Sequence, residues 1–269
     1  DEDAQKMGKN LVEFFKSEVA AGRLPANLLP LQSGVGSVAN AVINGLVNSD
    51  FEDLTVYTEV IQDGMFDLID AGKLRVCSGT ALSPSPDCLK KFYDNVEKYK
   101  KYIILRPQEV ANSPEVARRI GVIAMNTAIE VDIYGNVNST HICGTKIMNG
   151  IGGSGDYARN GYLTVFFTTS LAKGGAISSV VPFCSHVDHT EHDVDVIVSE
   201  RGVADLRGLT PKEKAPIIID QIANPKYQPM LLDYFHRACE ACGNSQTPHL
   251  LEEAFDFHNR FNKTGTMEK

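Results

Sequence analysis

Two stretches, Ser33-Gly-Val-Gly-Ser-Val-Ala-Asn-Ala-Val42 and Leu54-Thr-Val-Tyr-Thr-Glu-Val-Ile-Gln-Asp-Gly64, decide the fold of this chain. In the first, a turn at Gly34 and Gly36 precedes a run whose apolar residues recur every three or four positions, which predicts a helix. In the second, the first four residues have the composition of a strand, and Glu59 follows where that strand ends. Ligands bind outside the carboxyl ends of the strands in α/β sheets, so this carboxylate is placed to act on one.

Strands and helices alternate outward from these stretches, with short apolar runs rich in Val and Ile between amphipathic segments. This alternation predicts an α/β fold with a doubly wound, mostly parallel sheet flanked by helices. Two further segments are each predicted as a single element: a charged helix over Leu89–Lys101 and a strand over Ala176–Phe183. The length of 269 residues fits one large α/β domain or two small ones, and no linker or repeat is evident.

The composition narrows the class of partner. The net charge is −8, and no basic patch with interleaved aromatics occurs, so we predict no nucleic-acid partner. No apolar run approaches the roughly 20 residues that span a bilayer, so we predict no membrane insertion. No signal peptide opens the chain, and Asp1 stands where an initiator Met is expected, so we expect a fragment or a processed product.

Cysteine usage favours a reducing compartment, because six cysteines are scattered through a large chain without the density of a disulfide framework. Cys239 and Cys242 form a CxxC pair. A zinc site of this type needs a second such pair, and a redox motif would follow a strand, whereas the residues before Cys239 have a helical pattern. We therefore interpret the pair as ordinary cysteines at a helix end.

The two glycine-rich segments differ in what they indicate. Gly34 and Gly36 lack the third glycine of the dinucleotide fingerprint, since Ala39 occupies that position, so a simple tight turn remains an alternative. The segment Gly150–Gly155 contains four glycines in six residues. Such a loop lets the backbone approach a ligand closely and leaves N–H groups free to face negative charge, so we interpret it as a ligand-binding loop.

Glu59 by spacing alone could be an ordinary surface or salt-bridged carboxylate. The chemistry open to it is nevertheless specific, because a glutamate can attack a thioester to give an anhydride and then an enzyme-bound thioester. That reaction needs no metal, but it needs backbone N–H groups that stabilise the oxyanion. The segment Gly150–Gly155 could supply them.

A polar run, Ser185-His-Val-Asp-His-Thr-Glu-His-Asp193, is a candidate metal site. Its histidine spacing is not that of a zincin, and no His-Glu-x-x-His helix is present. Neutral histidines beside carboxylates also form hydrogen-bond networks that position loops, and this structural reading is the one we predict.

The chain resembles the C-terminal half of the acetyl-CoA hydrolase/transferase family, which comprises class I CoA-transferases of the succinyl-CoA:acetate type. The resemblance covers almost the whole sequence. It implies that residues 1–269 form the family's C-terminal domain, with a CoA-transferase-like (NagB-like) fold. It rests on six motifs in order, which are Leu31-Gln-Ser-Gly-Val-Gly-Ser-Val-Ala-Asn-Ala-Val42, Tyr57-Thr-Glu-Val-Ile-Gln-Asp-Gly64, Leu105-Arg-Pro-Gln-Glu-Val-Ala-Asn112, Val131-Asp-Ile-Tyr-Gly-Asn-Val-Asn-Ser-Thr-His141, Gly150-Ile-Gly-Gly-Ser-Gly-Asp-Tyr157 and the histidine run at 185–193.

The resemblance implies roles for individual residues. It makes Glu59 the nucleophile that becomes a glutamyl-CoA thioester, and it places Asn112 near the bound carboxylate and thioester. Gly152 and Gly153 match the loop that lines the CoA thioester and helps to stabilise the oxyanion. The residues Gly34 and Gly36 match a glycine turn near the active site.

The resemblance also implies partners. Acyl-CoA and small carboxylates such as acetate would be the substrates, with coenzyme A as a substrate and no separate cofactor or metal. Family members are roughly twice as long, so an N-terminal CoA-transferase domain would complete the pocket, and a homo-oligomer is expected. We expect a cytoplasmic location, or a mitochondrial one in a eukaryote.

Three hypotheses follow. The first is an enzyme that moves CoA between an acyl-CoA and a carboxylate through Glu59, or that hydrolyses the acyl-CoA when water intercepts the intermediate. The second is a non-catalytic CoA-binding or assembly half that needs an N-terminal partner. The third is metal-dependent hydrolysis at the histidine run. Neither the acyl group nor the physiological acceptor is defined by the sequence.

Overall fold

The computed structural model describes residues 2–269. Their contacts divide the chain into two compact units. Unit 1 contains the residues up to Thr127 together with Gly153–Val165, and unit 2 contains Ala128–Gly152 and Phe166–Lys269.

The α-helices of the described residues are distributed along the whole chain. They are Glu2–Ala20 (α1), Ser37–Val47 (α2), Asp63–Asp70 (α3), Pro86–Asp94 (α4), Val96–Tyr99 (α5), Gln108–Ala111 (α6), Pro114–Ile120 (α7), Ser154–Ala158 (α8), Pro211–Gln221 (α9), Gln228–Cys242 (α10) and Asp256–Thr264 (α11). Short 3-10 helices cover Lys173–Gly175 and Glu191–Asp193. Within residues 2–269, no helix combines the length and apolar character that crossing a bilayer requires.

The β-strands are short. They are Leu31–Ser33 (β1), Leu54–Tyr57 (β2), Val60–Ile61 (β3), Leu74–Gly79 (β4), Ala81–Leu82 (β5), Ile103–Leu105 (β6), Ile123–Thr127 (β7), Glu130–Asp132 (β8), Val137–Asn138 (β9), His141–Ile142 (β10), Lys146–Ile147 (β11), Leu163–Phe167 (β12), Leu171–Ala172 (β13), Ile177–Ser178 (β14), Val180–Val181 (β15), Val196–Val198 (β16) and Val203–Asp205 (β17).

A parallel sheet forms the centre of unit 1. Strand β1 pairs with β2 and β7, β2 pairs with β4, and β4 pairs with β6, all in parallel. Helices α1 and α2 pack closely because glycines meet at their crossing: a Cβ added to Gly45 would lie 2.9 Å from the Gly8 carbonyl oxygen. The predicted α/β class with a large, mostly parallel sheet flanked by helices is confirmed.

The strands of unit 2 include a three-stranded sheet and a hairpin. Strand β8 pairs with β9 in antiparallel fashion and with β15 in parallel, while β16 and β17 form an antiparallel hairpin. The turn after β8 is closed by the buried Asp132 carboxylate, whose Oδ1 accepts from the backbone N–H groups of Tyr134 and Asn136.

Two predicted single elements are wrong. The helix predicted over Leu89–Lys101 is divided into α4 and α5 because Asn95, with φ −135°, is not helical. The strand predicted over Ala176–Phe183 is two strands with different partners: β14 pairs with β13, whereas β15 pairs with β8. Cys239 and Cys242 lie in the last turn of α10 as free thiols, at a helix end as their sequence position predicts.

An aromatic cluster in unit 2 surrounds His249. The His249 ring lies 4.5 Å from the Phe183 ring and 5.0 Å from the Tyr134 ring, measured between centroids. Its Nδ1 lies 2.9 Å from the Tyr234 hydroxyl, which accepts a hydrogen bond from the Leu250 N–H. The Tyr234 hydroxyl therefore has its proton available for Nδ1, which suits a neutral imidazole. Burial lowers the pKa of His249 to about 4.

We predict that this histidine makes unit 2 sensitive to acid. The pKa is lower in the folded state than in the unfolded chain, so the unfolded state binds the proton first. The stabilisation is complete above the unfolded pKa near 6.5 and is lost as the pH falls toward 4. His249→Gln should weaken this loss, and urea unfolding at several pH values measures it. His236→Gln, at an exposed position of α10, is the control. Parallel pH profiles for wild type and His249→Gln would contradict the prediction.

Candidate active site

Glu59 follows β2, and its backbone is fixed on both sides. The preceding residue, Thr58, donates its Oγ1 proton to the Ser33 carbonyl at 3.1 Å and its N–H to the Ser78 carbonyl at 2.9 Å. The Glu59 carbonyl accepts the Thr80 N–H at 2.8 Å. Because β2 pairs with both β1 and β4, the ends of these neighbours hold the glutamate at the carboxyl edge of the sheet, as its sequence position predicts.

The Glu59 carboxylate meets Gly153. The Gly153 N–H donates to Glu59 Oε2 at 2.8 Å. A Cβ added to Gly153 would overlap both Glu59 Oε2 and Asn112 Nδ2, and it would lie 3.2 Å from Glu59 Cδ. The φ of Gly153 is −87°, which any residue adopts, so close approach rather than backbone conformation requires glycine here. The glutamate, the asparagine and the Gly153 backbone therefore meet at one point.

Asn112 brings a hydrogen-bond donor to this point. Its side chain is 7% exposed, and it ends the short helix α6. Among residues 2–269, Asn112 Nδ2 is a buried atom with no hydrogen-bond partner. A buried donor left unpaired costs about 1–3 kcal/mol of folding free energy. A bound hydrogen-bond acceptor would remove this cost.

The glycine turn is linked to the Glu59 segment through Gln62. The Gln62 side chain donates from Nε2 to the Gly34 carbonyl at 2.9 Å and accepts the Gly36 N–H at Oε1 at 3.1 Å. Gly36 has φ +114°, a conformation that favours glycine, and it forms the N-cap of α2. The turn is thus part of the same constellation as Glu59, reached through a glutamine rather than by direct contact.

Five of the six residues predicted from the sequence lie at this site. Glu59, Asn112 and Gly153 lie together, and Gly34 and Gly36 join them through Gln62. The last predicted residue, Gly152, belongs to unit 2 and has the left-handed φ of +57°.

Sequence reasoning missed two residues, Gln62 and Tyr157. The hydroxyl of Tyr157 donates to the Ala111 carbonyl at 2.5 Å and lies 3.5 Å from Asn112 Oδ1. Sequence position was the available signal, because Gln62 lies three residues after Glu59 and Tyr157 closes the second glycine-rich segment.

The histidine run makes separate contacts within unit 2. His186 Nε2 lies 3.2 Å from Asp188 Oδ1, and the buried His189 ring packs 4.8 Å from the Phe166 ring. His192 Nδ1 lies 3.2 Å from Glu191 Oε1. In the described part of the chain, no group of three or more His, Cys, Asp or Glu side chains is arranged to hold a metal ion.

Several solved structures share the fold of this chain. RipA from Yersinia pestis matches 90% of this chain and 52% of its own length, with a TM-score of 0.71 and 24% identity. A 4-hydroxybutyrate CoA-transferase from Porphyromonas gingivalis matches 88% of this chain and 56% of its own, with a TM-score of 0.67 and 23% identity. At these identities the likeness shows the fold.

Relatives found by sequence have higher identity to this chain than these solved structures. A succinyl-CoA:acetate CoA-transferase of Clostridium kluyveri is 60% identical over 98% of this chain and 49% of its own length. An acetyl-CoA hydrolase of Candida albicans is 48% identical over 100% of this chain and 52% of its own. A propanoyl-CoA:succinate CoA transferase of Escherichia coli is 48% identical over 98% of this chain and 53% of its own length. The chain thus spans about half the length of these relatives.

The model of the acetyl-CoA hydrolase/transferase C-terminal domain matches residues 89–235. This range is just over half of the chain; it includes Asn112, Gly152 and Gly153 and begins after Glu59. The relatives extend the similarity across the segment that carries Glu59. The chain belongs to the acetyl-CoA hydrolase/transferase family.

Proposed function

We propose that this chain carries the nucleophile of a CoA-transferase that moves CoA between an acyl-CoA and a small carboxylate such as acetate. The observation that supports it most directly is the meeting of the Glu59 carboxylate, the Gly153 N–H and the unpaired Asn112 Nδ2 at one point. A nucleophile beside two hydrogen-bond donors is the arrangement that acyl transfer requires.

The reaction begins with attack by a Glu59 oxygen on the thioester carbonyl carbon of the acyl-CoA. Collapse of the tetrahedral intermediate breaks the C–S bond, and the sulfur leaves as CoA thiolate. Glu59 is then joined to the acyl group as a mixed anhydride. The thiolate attacks the Glu59 carbonyl carbon, which releases the donor acid as a carboxylate and leaves a glutamyl-CoA thioester.

An acceptor carboxylate reverses these steps. It attacks the glutamyl thioester, expels CoA thiolate and forms a new anhydride. The thiolate then attacks the acceptor's carbonyl carbon, so that a new acyl-CoA leaves and the Glu59 carboxylate is regenerated. Thioester and anhydride are both activated acyl groups, so the route conserves the activation of the donor, and coenzyme A takes part as a substrate without a further cofactor.

Each attack places negative charge on a carbonyl oxygen, which needs donors already in position. Asn112 Nδ2 supplies one, since it is buried and unpaired among residues 2–269. The Gly153 N–H, which binds the Glu59 carboxylate before reaction, supplies a second as the carboxylate becomes an anhydride and its charge moves to the new oxyanion. Removing one such donor commonly reduces kcat by about a hundredfold to a thousandfold.

Hydrolysis uses the same path with water attacking the glutamyl thioester. The names of the relatives include both transferases and hydrolases, which supports a shared intermediate with a different acceptor. We infer that water exclusion decides between the two outcomes. Since the chain spans about half of each relative, we further propose that an N-terminal CoA-transferase domain completes the substrate pocket in an oligomeric enzyme.

We predict that Glu59→Gln reduces CoA transfer by at least roughly a thousandfold, because an amide cannot act as the nucleophile. The complete protein is mixed with acetyl-CoA, quenched in acid and digested. A CoA-sized adduct should appear on the peptide that contains Glu59 in wild type and be absent from Glu59→Gln. Glu52→Gln, at an exposed position of the same segment, is the control and should keep both activity and adduct. Substantial acyl exchange by Glu59→Gln would remove Glu59 from the mechanism.

We also predict that Gly153→Ala reduces kcat/KM by about tenfold to hundredfold, because its Cβ would displace Glu59 and Asn112. The matched control is Gly155→Ala in the same segment, since a Cβ at Gly155 meets no atom within 4 Å. Steady-state kinetics of the two variants, with melting temperatures to verify folding, measures the difference. Equal activity of the two alanine variants would contradict the proposed role of the close approach.

A further inference from the structure

Tyr157 lies behind the candidate active site, in helix α8. Its side chain is 1% exposed, and its ring packs edge-on against the Tyr57 ring with centroids 6.2 Å apart. The two rings belong to one apolar cluster that also contains Ala117, Val122 and Ala124. A phenol held in this way has a fixed hydroxyl position, because rotation of the ring would disturb the packing of the cluster.

The hydroxyl of Tyr157 contacts two neighbouring groups, the backbone carbonyl of Ala111 and the side-chain carboxamide of Asn112. It donates at 2.5 Å to the Ala111 carbonyl, which belongs to the peptide directly before Asn112. It also lies 3.5 Å from Asn112 Oδ1, the oxygen of the carboxamide. Burial, with Glu59 among the nearby negative groups, raises the pKa of Tyr157, so the hydroxyl keeps its proton and remains a donor.

The orientation of the Asn112 carboxamide follows from these contacts. A carboxamide has an acceptor end and a donor end. The single Tyr157 proton is shared between the Ala111 carbonyl at 2.5 Å and Asn112 Oδ1 at 3.5 Å, and this three-centre contact favours the acceptor end, Oδ1, on the tyrosine side. With Oδ1 on the Tyr157 side, Nδ2 lies beside the position where a Gly153 Cβ would overlap it and Glu59 Oε2. The reverse orientation would direct an oxygen lone pair at the Glu59 carboxylate, which is electrostatically unfavourable.

We propose that Tyr157 is a positioning residue for acyl transfer, which holds the Asn112 carboxamide so that Nδ2 faces the reacting carbonyl oxygen. Tyr157 itself does not touch the substrate, and its effect passes through Asn112. The inference rests on the proposed function, since a positioned donor matters only where an oxyanion forms. It assigns a specific task to the tyrosine that closes the segment Gly150–Tyr157.

Tyr57 provides a matched control. Its hydroxyl donates to the Val110 carbonyl, so it also binds a backbone oxygen of helix α6. It belongs to the same cluster and is similarly buried, at 6% exposure. Removal of either hydroxyl takes one hydrogen bond from α6, but only the Tyr157 hydroxyl also lies beside the carboxamide of Asn112. A general effect on packing should therefore appear equally in Tyr57→Phe and Tyr157→Phe.

The test measures steady-state kinetics with acetyl-CoA and a carboxylate acceptor for the complete protein. We expect Tyr157→Phe to lower kcat by about tenfold to hundredfold while KM for acetyl-CoA stays within about threefold. Tyr57→Phe should stay within about threefold of wild type in both parameters, and the melting temperatures of the two variants should be similar.

A double-mutant cycle with Asn112→Ala tests the route of the effect. If Tyr157 acts through Asn112, Tyr157→Phe should change kcat by less than about threefold once Asn112 is alanine. Losses that multiply in the double variant, or equal losses in Tyr57→Phe and Tyr157→Phe, would overturn the proposal and leave Tyr157 as a packing residue. The proposed function fails separately, if wild type turns over without a CoA adduct on Glu59. In that case the double-mutant cycle still measures the coupling between Tyr157 and Asn112, because the enzyme still turns over.

Discussion

The hydrogen bond from the Gly153 N–H to Glu59 Oε2 is the contact on which the rest of the site depends. It forms because the loop backbone approaches the carboxylate without an intervening Cβ, in a position where any side chain would overlap Glu59 and Asn112. Glu59 lies just beyond the end of β2 in the parallel sheet, and Gly153 lies directly before helix α8. The sheet thus positions the Glu59 carboxylate, and the glycine in the loop allows the backbone N–H to reach it.

The site is organised before any substrate binds. Asn112 Nδ2 remains buried and unpaired among residues 2–269, and desolvation of such a donor is unfavourable by about 1–3 kcal/mol. The unpaired donor is tolerated because hydrogen bonds fix the backbone around the site. The Tyr157 hydroxyl binds the Ala111 carbonyl, and the Gln62 side chain binds Gly34 and Gly36 of the glycine turn. Donors that are already oriented need no reorganisation when charge develops, which is the main source of oxyanion stabilisation in enzymes.

The sequence was informative where the determining pattern is local. The position of Glu59 after a short apolar strand and the glycines around Gly153 follow from spacing and composition, and both features are present in the structure. The same reasoning failed for Ala176–Phe183, because the two halves of that apolar run pair with different strands, a choice made by distant residues. Tyr157 was missed for a similar reason, since its importance lies in a contact with Asn112, 45 positions away.

In the proposed mechanism, Glu59 bonds covalently to the acyl group through its own carboxylate oxygen. Transfer from acetyl-CoA to a carboxylate labelled with oxygen-18 measures whether this bond forms. In the proposed route, an acceptor oxygen bridges the anhydride and stays with Glu59 when the new acyl-CoA leaves. After turnover in unlabelled water, the digested peptide that contains Glu59 should carry heavy oxygen in its carboxylate. An unlabelled Glu59 peptide, recovered after many turnovers with a labelled acceptor, would contradict the account.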